Sequence, residues 1–376
     1  MVVKKVFHQL HLWLGLPSGL LVFVIAITGC LYAFQSEIQD LTQPFRFVET
    51  ENRSFAQPSL LENNACHALP EKQLHSIRYG ARDRAAEAIF YHYNPTYYYT
   101  VYLNPYTGEV LKINDNEKGF FRFILKGHFY LWLPPKIGQP MVASATLVFL
   151  IIVITGLFLW WPKNRKVARQ RFWFRWKKGE RWPKINFDLH NIVGFYSLIF
   201  GLIFAVTGLV WGFQWFAQSY YKVAGGKKSL QYQVVVSKSD TSPVETDSVK
   251  AIDKVWLKLL DEYQDAASFE LHPPETDSSA IAVNVGLQEG TYWKTDYRYF
   301  DQYSLKEIEV DNLYGKLQNA GFADKLMRMN YDIHTGSVLG LPGKIFAFLI
   351  SLMIASLPVT GTIIWWKRRR RQRNND

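Results

Sequence analysis

The sequence predicts a membrane α-helical fold: a four-helix transmembrane bundle made of two helix–ectodomain–helix repeats, with two small α+β extracytoplasmic domains. Three observations carry that prediction. Four long apolar runs hold no charge at their centres, the excess positive charge gathers in short segments beside them, and the first half of the chain matches the second. The mean hydropathy of −0.09 reads as that of a soluble protein only because polar segments between the runs cancel them.

A spanning helix needs about 20 mainly apolar residues. Leu12–Phe34, Met141–Trp161, Ile192–Phe213 and Lys344–Trp366 qualify. With their flanks they divide the chain into a first transmembrane helix (1–36), a first ectodomain (37–127), a second helix (128–162) and a basic loop (163–187). A third helix (188–216), a second ectodomain (217–330), a fourth helix (331–367) and a basic tail (368–376) follow. Of the net charge of +11, Lys4 and Lys5 precede the first run. Residues 162–184 hold ten Lys/Arg against Glu180, and residues 367–376 hold six against Asp376. Charge confined to such segments is the positive-inside pattern, not a nucleic-acid footprint. It places both termini and the basic loop in the cytoplasm and the two ectodomains outside. Trp160–Trp161 and Trp365–Trp366, next to basic residues, read as interfacial anchors. The two cysteines exclude a disulfide scaffold and a Cys-based zinc or iron–sulfur site. Ile27-Thr28-Gly29-Cys30 after an apolar run also resembles a lipoprotein processing site. Against that, this run matches the third one, which lacks the Cys, so Cys30 reads as a small helical residue.

The repeat is visible residue by residue. His11-Leu-Trp-Leu-Gly15 aligns with His190-Asn-Ile-Val-Gly194, and each leads to a Thr-Gly pair, Thr28-Gly29 and Thr207-Gly208. In the second and fourth runs, Thr155-Gly156 and Thr360-Gly361 each precede a Trp-Trp and a basic stretch, with His128 and His334 upstream. Within the ectodomains, Tyr97–Leu103, the turn Asn104–Gly108 and Glu109–Ile113 read as a β-hairpin. Tyr297–Phe300, Asp301–Ser304 and Leu305–Val310 read likewise. Ser59–Leu69 and Ser248–Tyr263 are the expected helices before the hairpins, the second capped by Asp247 or Ser248.

Four of the nine histidines occupy matching span ends. His11 and His190 share the cytoplasmic side, and His128 and His334 the outer side. Two inward-facing imidazoles per layer suit the axial positions of a haem iron, and bundle cores host such cofactors. No CxxCH occurs, so any haem is b-type. Histidines without a ligand, a proton pathway and a zinc site remain as other readings of the same four residues. Gly29 and Gly208 lie at the depth of His128 and His334, and Gly156 and Gly361 at that of His11 and His190. Small residues there either admit a macrocycle or let helices pack closely. His8 shares a helix face with His11, so either can be the ligand, although the repeat matches only from His11. His67, His75, His92 and His272 read as ordinary ectodomain residues.

At these positions the chain resembles the PepSY-associated transmembrane (PepSY-TM) family of bacterial inner-membrane proteins. The carriers are His11-Leu-Trp-Leu-Gly15, Pro105-Tyr-Thr-Gly-Glu109 of a PepSY-like domain and Thr155-Gly-Leu-Phe-Leu-Trp-Trp-Pro162. Asp188-Leu-His190, Phe300-Asp-Gln-Tyr303, His334-Thr-Gly336 and Gly340-Leu-Pro-Gly343 complete the set. The resemblance covers nearly the whole chain and departs only at Ser304–Leu305, where the family often has Thr-Gly. It implies a di-haem ferric-siderophore reductase linked to iron uptake. Two non-covalent, bis-His haem b groups would carry electrons across the inner membrane, one on His11 and His190, the other on His128 and His334.

An Fe(III)–siderophore or similar chelate is then the expected acceptor, because reduction to Fe(II) weakens a chelate of hard oxygen donors. Phe120, Phe121, Phe129, Tyr130 and Trp132 near His128, and Tyr331 near His334, are candidate substrate contacts or an interfacial belt. No nucleotide- or flavin-binding motif follows a strand, so the donor is expected to be another protein, a quinol or a diffusible reductant. Three rival readings stand beside this one: a haem-free protein binding peptides or a peptidase, an iron or haem permease, and a subunit of a larger redox complex.

Overall fold

The computed structural model describes residues 2–162, 164–231, 233–237 and 249–373. The chain forms two compact units. The first holds residues 1–35, 120–220 and 330–376, and the second holds residues 36–119 and 221–329.

In chain order, α1 (Val2–Tyr32) is followed by α2 (Gln35–Thr42), α3 (Pro58–Ala68) and strands β1 (Ser76–Tyr79), β2 (Ala86–Tyr93), β3 (Thr96–Leu103) and β4 (Val110–Asp115). Then come α4 (Phe120–Tyr130), α5 (Pro135–Trp160), α6 (Arg165–Phe172), α7 (Trp182–Gly212), α8 (Gln214–Val223) and α9 (Ala251–Glu262). Strands β5 (Ser268–His272), β6 (Ile281–Gly286) and β7 (Thr295–Phe300) precede α10 (Phe322–Arg328), α11 (Asn330–Thr335) and α12 (Gly340–Arg373).

Four helices of the first unit are long and apolar enough to cross a membrane, at Val2–Tyr32, Pro135–Trp160, Trp182–Gly212 and Ser337–Arg373. Helix α1 packs on α5 and α12, and α7 packs on the same two. The bundle is therefore a square with α1 opposite α7. Its middle layer is Val22, Ile350 and Ile354 with Phe149, Phe200 and Phe204 around them. Side chains this apolar face either each other or lipid, and the helices satisfy their backbone groups internally except at the carbonyls one turn before Pro17, Pro140 and Pro358. The second and fourth expected spans each divide. A short helix carries the histidine (α4, α11), a joint follows, and then the long helix begins. Trp160 is not an interfacial anchor. It is buried, stacked on Phe195 at 3.9 Å and edge-on to Phe172. Arg171 of α6 donates to the carbonyls of Leu159 and Trp160, satisfying the end of α5. Trp161 and Trp366 remain exposed.

The two expected ectodomains are corrected to one. The second unit is a single antiparallel sheet of order β4-β3-β2-β1-β5-β6-β7. Strands β1 and β5 pair antiparallel at Ile77↔Leu271 and Tyr79↔Phe269, so two half-sheets close each other's open edges. Helices α3 and α9 cover one face over Ile77, Phe90, Leu103, Leu271, Val283 and Phe300, with Trp256 stacked on Tyr79 at 4.5 Å. The buried carboxylate of Asp253 in α9 accepts from the Ser59 N–H at 2.9 Å and so caps α3 from the other half.

Both hairpin turns share one hydrogen-bond pattern. Asn104 Oδ1 accepts from the N–H groups of Tyr106 and Thr107, and Asp301 Oδ1 accepts from those of Tyr303 and Ser304. The N–H of Gly108 returns to the Asn104 carbonyl and that of Leu305 to the Asp301 carbonyl, both at 2.9 Å. Gly108 and Leu305 are left-handed, at φ 75° and 57°. The expected strand Leu305–Val310 does not form. Only Glu307 bridges Phe300. The expected α9 caps, Asp247 and Ser248, lie outside the described residues, and α9 begins after Lys250 with no side-chain cap.

Candidate functional site

Each layer of the bundle brings two imidazoles together. His11 of α1 and His190 of α7 meet across the square with ring centroids 6.4 Å apart and planes at 87°. At the other end His128 of α4 and His334 of α11 stand 6.2 Å apart at 65°. One metal ion between two imidazoles, with metal–nitrogen bonds of about 2 Å, requires centroids about 6.3 Å apart. Both pairs are at that spacing. Along α1, His11 and Thr28 are 17 positions apart, as are His190 and Thr207 along α7. At 1.5 Å per residue the layers lie about 25 Å apart, most of a hydrocarbon core of about 30 Å.

The four imidazoles are held alike. Nδ1 of His11 meets Thr155 Oγ1 at 3.1 Å, that of His128 meets Thr28 at 3.2 Å, that of His190 meets Thr360 at 2.9 Å and that of His334 meets Thr207 at 2.8 Å. Each threonine hydroxyl lies within hydrogen-bond reach of a carbonyl one turn back in its own helix: Ile152 for Thr155, Val24 for Thr28, Ser356 for Thr360 and Ile203 for Thr207. A hydroxyl has one proton. With that proton donated to the carbonyl, the oxygen accepts from the ring, so Nδ1 carries the hydrogen. His128 shows this directly, because its Nδ1 also reaches the Ile25 carbonyl at 2.9 Å and a carbonyl only accepts. In every ring the nitrogen left with a lone pair is Nε2, the ligating form that a hydrogen bond at the other nitrogen selects.

The glycine after each threonine leaves room for the ring. A Cβ at Gly29, Gly156, Gly361 or Gly208 would stand 3.3, 3.3, 3.2 and 3.6 Å from Cε1 of His128, His11, His190 and His334 respectively. These glycines therefore lie against the imidazoles. Threonine and glycine form one cradle, and sequence reasoning missed the threonine half of it. The signal was present, since all four glycines follow a threonine. Close helix packing is served by a different glycine: Gly19, which follows Ser18, approaches Pro358 and joins α1 to α12.

His8 stands apart from the pairs. Its Nε2 lies 3.4 Å from Arg368 in the basic end of α12. Around the second pair, Phe129 meets His128 edge-on at 5.8 Å, and Trp211 and Phe204 meet His334 at 5.3 and 5.8 Å. Trp211 and Phe204 were not anticipated from sequence, because Phe204 sits mid-run and Trp211 near the end of the run, each one aromatic among others. Of the expected substrate contacts, Tyr331 lies beside Trp211 and Tyr130 beside Phe129. Trp132 instead stacks on Phe123 over Gly127 and donates to the Phe123 carbonyl. Phe120 and Phe121 pack on each other, Phe121 also on Tyr32. His67, His75, His92 and His272 belong to the sheet unit, where His75 and His272 pack together at 4.9 Å.

Among the described residues no three His, Cys, Asp or Glu side chains converge as a metal site. A metal held by protein atoms alone, such as structural zinc, needs three or four such ligands. Two opposed imidazoles are what an iron already held in a macrocycle asks of a protein.

The family model for the PepSY-associated TM region matches residues 8–368. The chain belongs to that family, nearly over its full length. Comparison with curated proteins gives no match.

Proposed function

We propose that the chain carries electrons across a bacterial inner membrane through two b-type haems and reduces ferric iron, as an Fe(III)–siderophore or similar chelate, on the periplasmic side. The observation that carries this reading is the fourfold cradle: two histidine pairs at the spacing of one metal ion, each ring with Nε2 free. His11 and His190 would hold one haem, and His128 and His334 the other. When bound, the haems would supply one-electron carriage between the two layers.

The remaining work falls to the chain's own residues. The threonines fix ring tautomer and direction, and the glycines let the rings approach the neighbouring helix. The apolar middle layer keeps water from the space between the pairs. Phe129, Phe204 and Trp211 wall the second pair. The basic segments orient the bundle with both termini in the cytoplasm and the sheet unit in the periplasm. The shared turn pattern and the matched cradles support a chain built from two copies of one helix–ectodomain–helix unit. The electron would come from a cytoplasmic protein or a quinol.

The test is an optical spectrum of the full-length protein, purified in mild detergent after growth with added haem, with a pyridine haemochrome count. Two low-spin b-type haems per chain are expected, and His11→Ala and His128→Ala should each lose one. A colourless protein would sink the electron-carrier reading and leave peptide binding or permeation. A single haem would leave one histidine pair with another task and remove the physical basis for transfer across the full bilayer.

A further inference from the structure

Helices α7 and α12 do not close on each other along their whole length. Between them runs a groove of about 390 Å3. Its walls are Val193 and Phe200 of α7 and Phe346, Ile350 and Met353 of α12, with the buried Ile192 as floor. At its end nearest the basic loop lies Phe174, which belongs to the segment between α6 and α7 and not to either helix. The Tyr196 hydroxyl, the one polar side-chain group of the lining, donates to the Phe172 carbonyl at 3.0 Å. That bond ties the end of α6 to α7 and leaves the groove without a side-chain donor for a guest. A quinone ring would find no side-chain partner there, whereas a plain hydrocarbon chain needs none.

The loop that supplies Phe174 has a composition of its own. Trp173, Phe174, Trp176 and Trp182 are all exposed, at 65%, 48%, 41% and 54%. Between them stand Arg175, Lys177, Lys178 and Arg181, also exposed. The nearby carboxylates are engaged: Glu180 with Lys184 at 2.8 Å, and Asp188 with Lys184 at 3.6 Å and with the Trp176 indole N–H at 3.2 Å. Arg175, Lys178 and Arg181 form no ion pair among the described residues. Exposed indoles mixed with cations at the end of a spanning helix fit a headgroup layer, and the cations attract anionic headgroups.

We infer that this site binds one anionic phospholipid, its acyl chain in the α7–α12 groove under Phe174 and its headgroup on Arg175, Lys178 and Arg181. The occupant is identified by the joining of two chemistries in one place: an apolar slot too poor in polar groups for a quinone, and a cationic rim with its own acids already neutralised. The site is independent of the histidine pairs and stands whether or not they bind haem.

Native mass spectrometry of the full-length protein in mild detergent, titrated with equal phosphatidylglycerol and phosphatidylcholine of identical chains, tests it. One phosphatidylglycerol should be retained in preference. The triple reversal R175E/K178E/R181E should cut that preference by about tenfold or more. Val193→Trp should fill the slot and abolish retention of either lipid. Equal retention of both lipids by the unaltered protein overturns the inference, as does a preference that survives both variants, or a retained isoprenoid quinone. A measurement without variants guards against misfolding. Phosphatidylglycerol with a mid-chain photo-crosslinker should label residues 192–200 and 346–353, and labelling confined to other helices overturns it.

Discussion

The two halves of the chain reach the same cradle by different backbone routes. In the first half, His128 of α4 is turned into the bundle by a joint in which Leu131 and Trp132 are left-handed, at φ 54° and 58°. In the second half, His334 of α11 is followed by Gly336 and Gly340, at φ 80° and 64°. Both joints are closed by backbone contact at a glycine, the Tyr130 carbonyl against Gly138 in the first and the Gly336 carbonyl against Gly343 in the second. The first adds a side-chain lock, with Trp132 stacked on Phe123 over Gly127. The sheet unit shows the opposite allocation. There the first half places Gly108 at its left-handed turn and the second places Leu305. Backbone strain is thus tolerated at one joint in each half, wherever neighbouring contacts fix the geometry.

The largest effect should come from breaking the glycine joint. A Cβ at Gly336 would overlap the Gly343 carbonyl and stand 3.0 Å from Ala347 Cβ, in a conformation an L side chain adopts at a cost. Gly336→Ala should destabilise the protein by about 3 kcal/mol from backbone and overlap together. It should also misplace His334. Leu131→Ala, at the joint of the first half, should cost far less. Thermal unfolding in detergent compares the two. Equal losses would mean that the joints are not held differently.

Next in size are the threonines. Thr207 is the acceptor for His334 Nδ1, whereas His128 has both Thr28 and the Ile25 carbonyl. Thr207→Val should therefore free its ring more than Thr28→Val does. In 15N-histidine spectra the Thr207→Val ring should become a tautomer mixture while the Thr28→Val ring stays protonated at Nδ1. If the pairs hold haem, loss of such an outer partner lowers metal affinity by about 10- to 100-fold. The second-half variant should show it first. Equal effects would remove the tautomer argument.

These unequal partners explain what could be read in the sequence. The spans were legible because apolar runs need only be counted. The histidines were legible because each recurs at a matching place. The threonine contacts were not. A threonine in a spanning helix ordinarily satisfies its hydroxyl on its own preceding turn, and these four do so as well. The second bond appears only when another helix arrives. For the same reason the β1–β5 pairing was invisible. Ile77 and Leu271 sit far apart in the chain, each in a short strand with no local sign of its neighbour, so two domains were expected where one sheet forms. Trp160 misled for a different reason: a Trp-Trp pair beside basic residues carries no mark of which indole faces Phe195.

The shared sheet makes a prediction in alkali. Burial pushes the Tyr102 hydroxyl up to about 12 in the first half. In the second, burial and the bond to Asp324 do the same for Tyr221, and burial and Asp296 for Tyr263. An unfolded tyrosine ionises near 10, so between about pH 10 and 12 the unfolded state releases protons that the folded state keeps. Stability is full below that window and falls as pH rises through it. If β1 and β5 make one cooperative body, hydrogen exchange in β2–β3 and in β6–β7 should accelerate together over that range. Separate transitions would return the two-domain description.

The smallest effect isolates the turns. Asn104 and Asp301 accept the same pair of backbone N–H groups, so the turns differ chiefly in what occupies the left-handed position. A branched side chain held left-handed costs about 1–2 kcal/mol, part of which glycine gives back as unfolded-state entropy. Leu305 also packs partly against the sheet core, and its removal forfeits that contact. Leu305→Gly should therefore change stability by less than about 1 kcal/mol, with relief and lost burial opposed. Gly108→Leu has no such balance. It adds the strain and drives a Cβ to 2.8 Å from Asn64 Nδ2, whose amide donates to the Gly108 carbonyl. Urea midpoints of the two variants should diverge, with the first near the parent and the second lower. If Gly108→Leu were as mild as Leu305→Gly, the two halves would tolerate strain at the turn equally, and packing around α3 would not be what reserves that position for glycine.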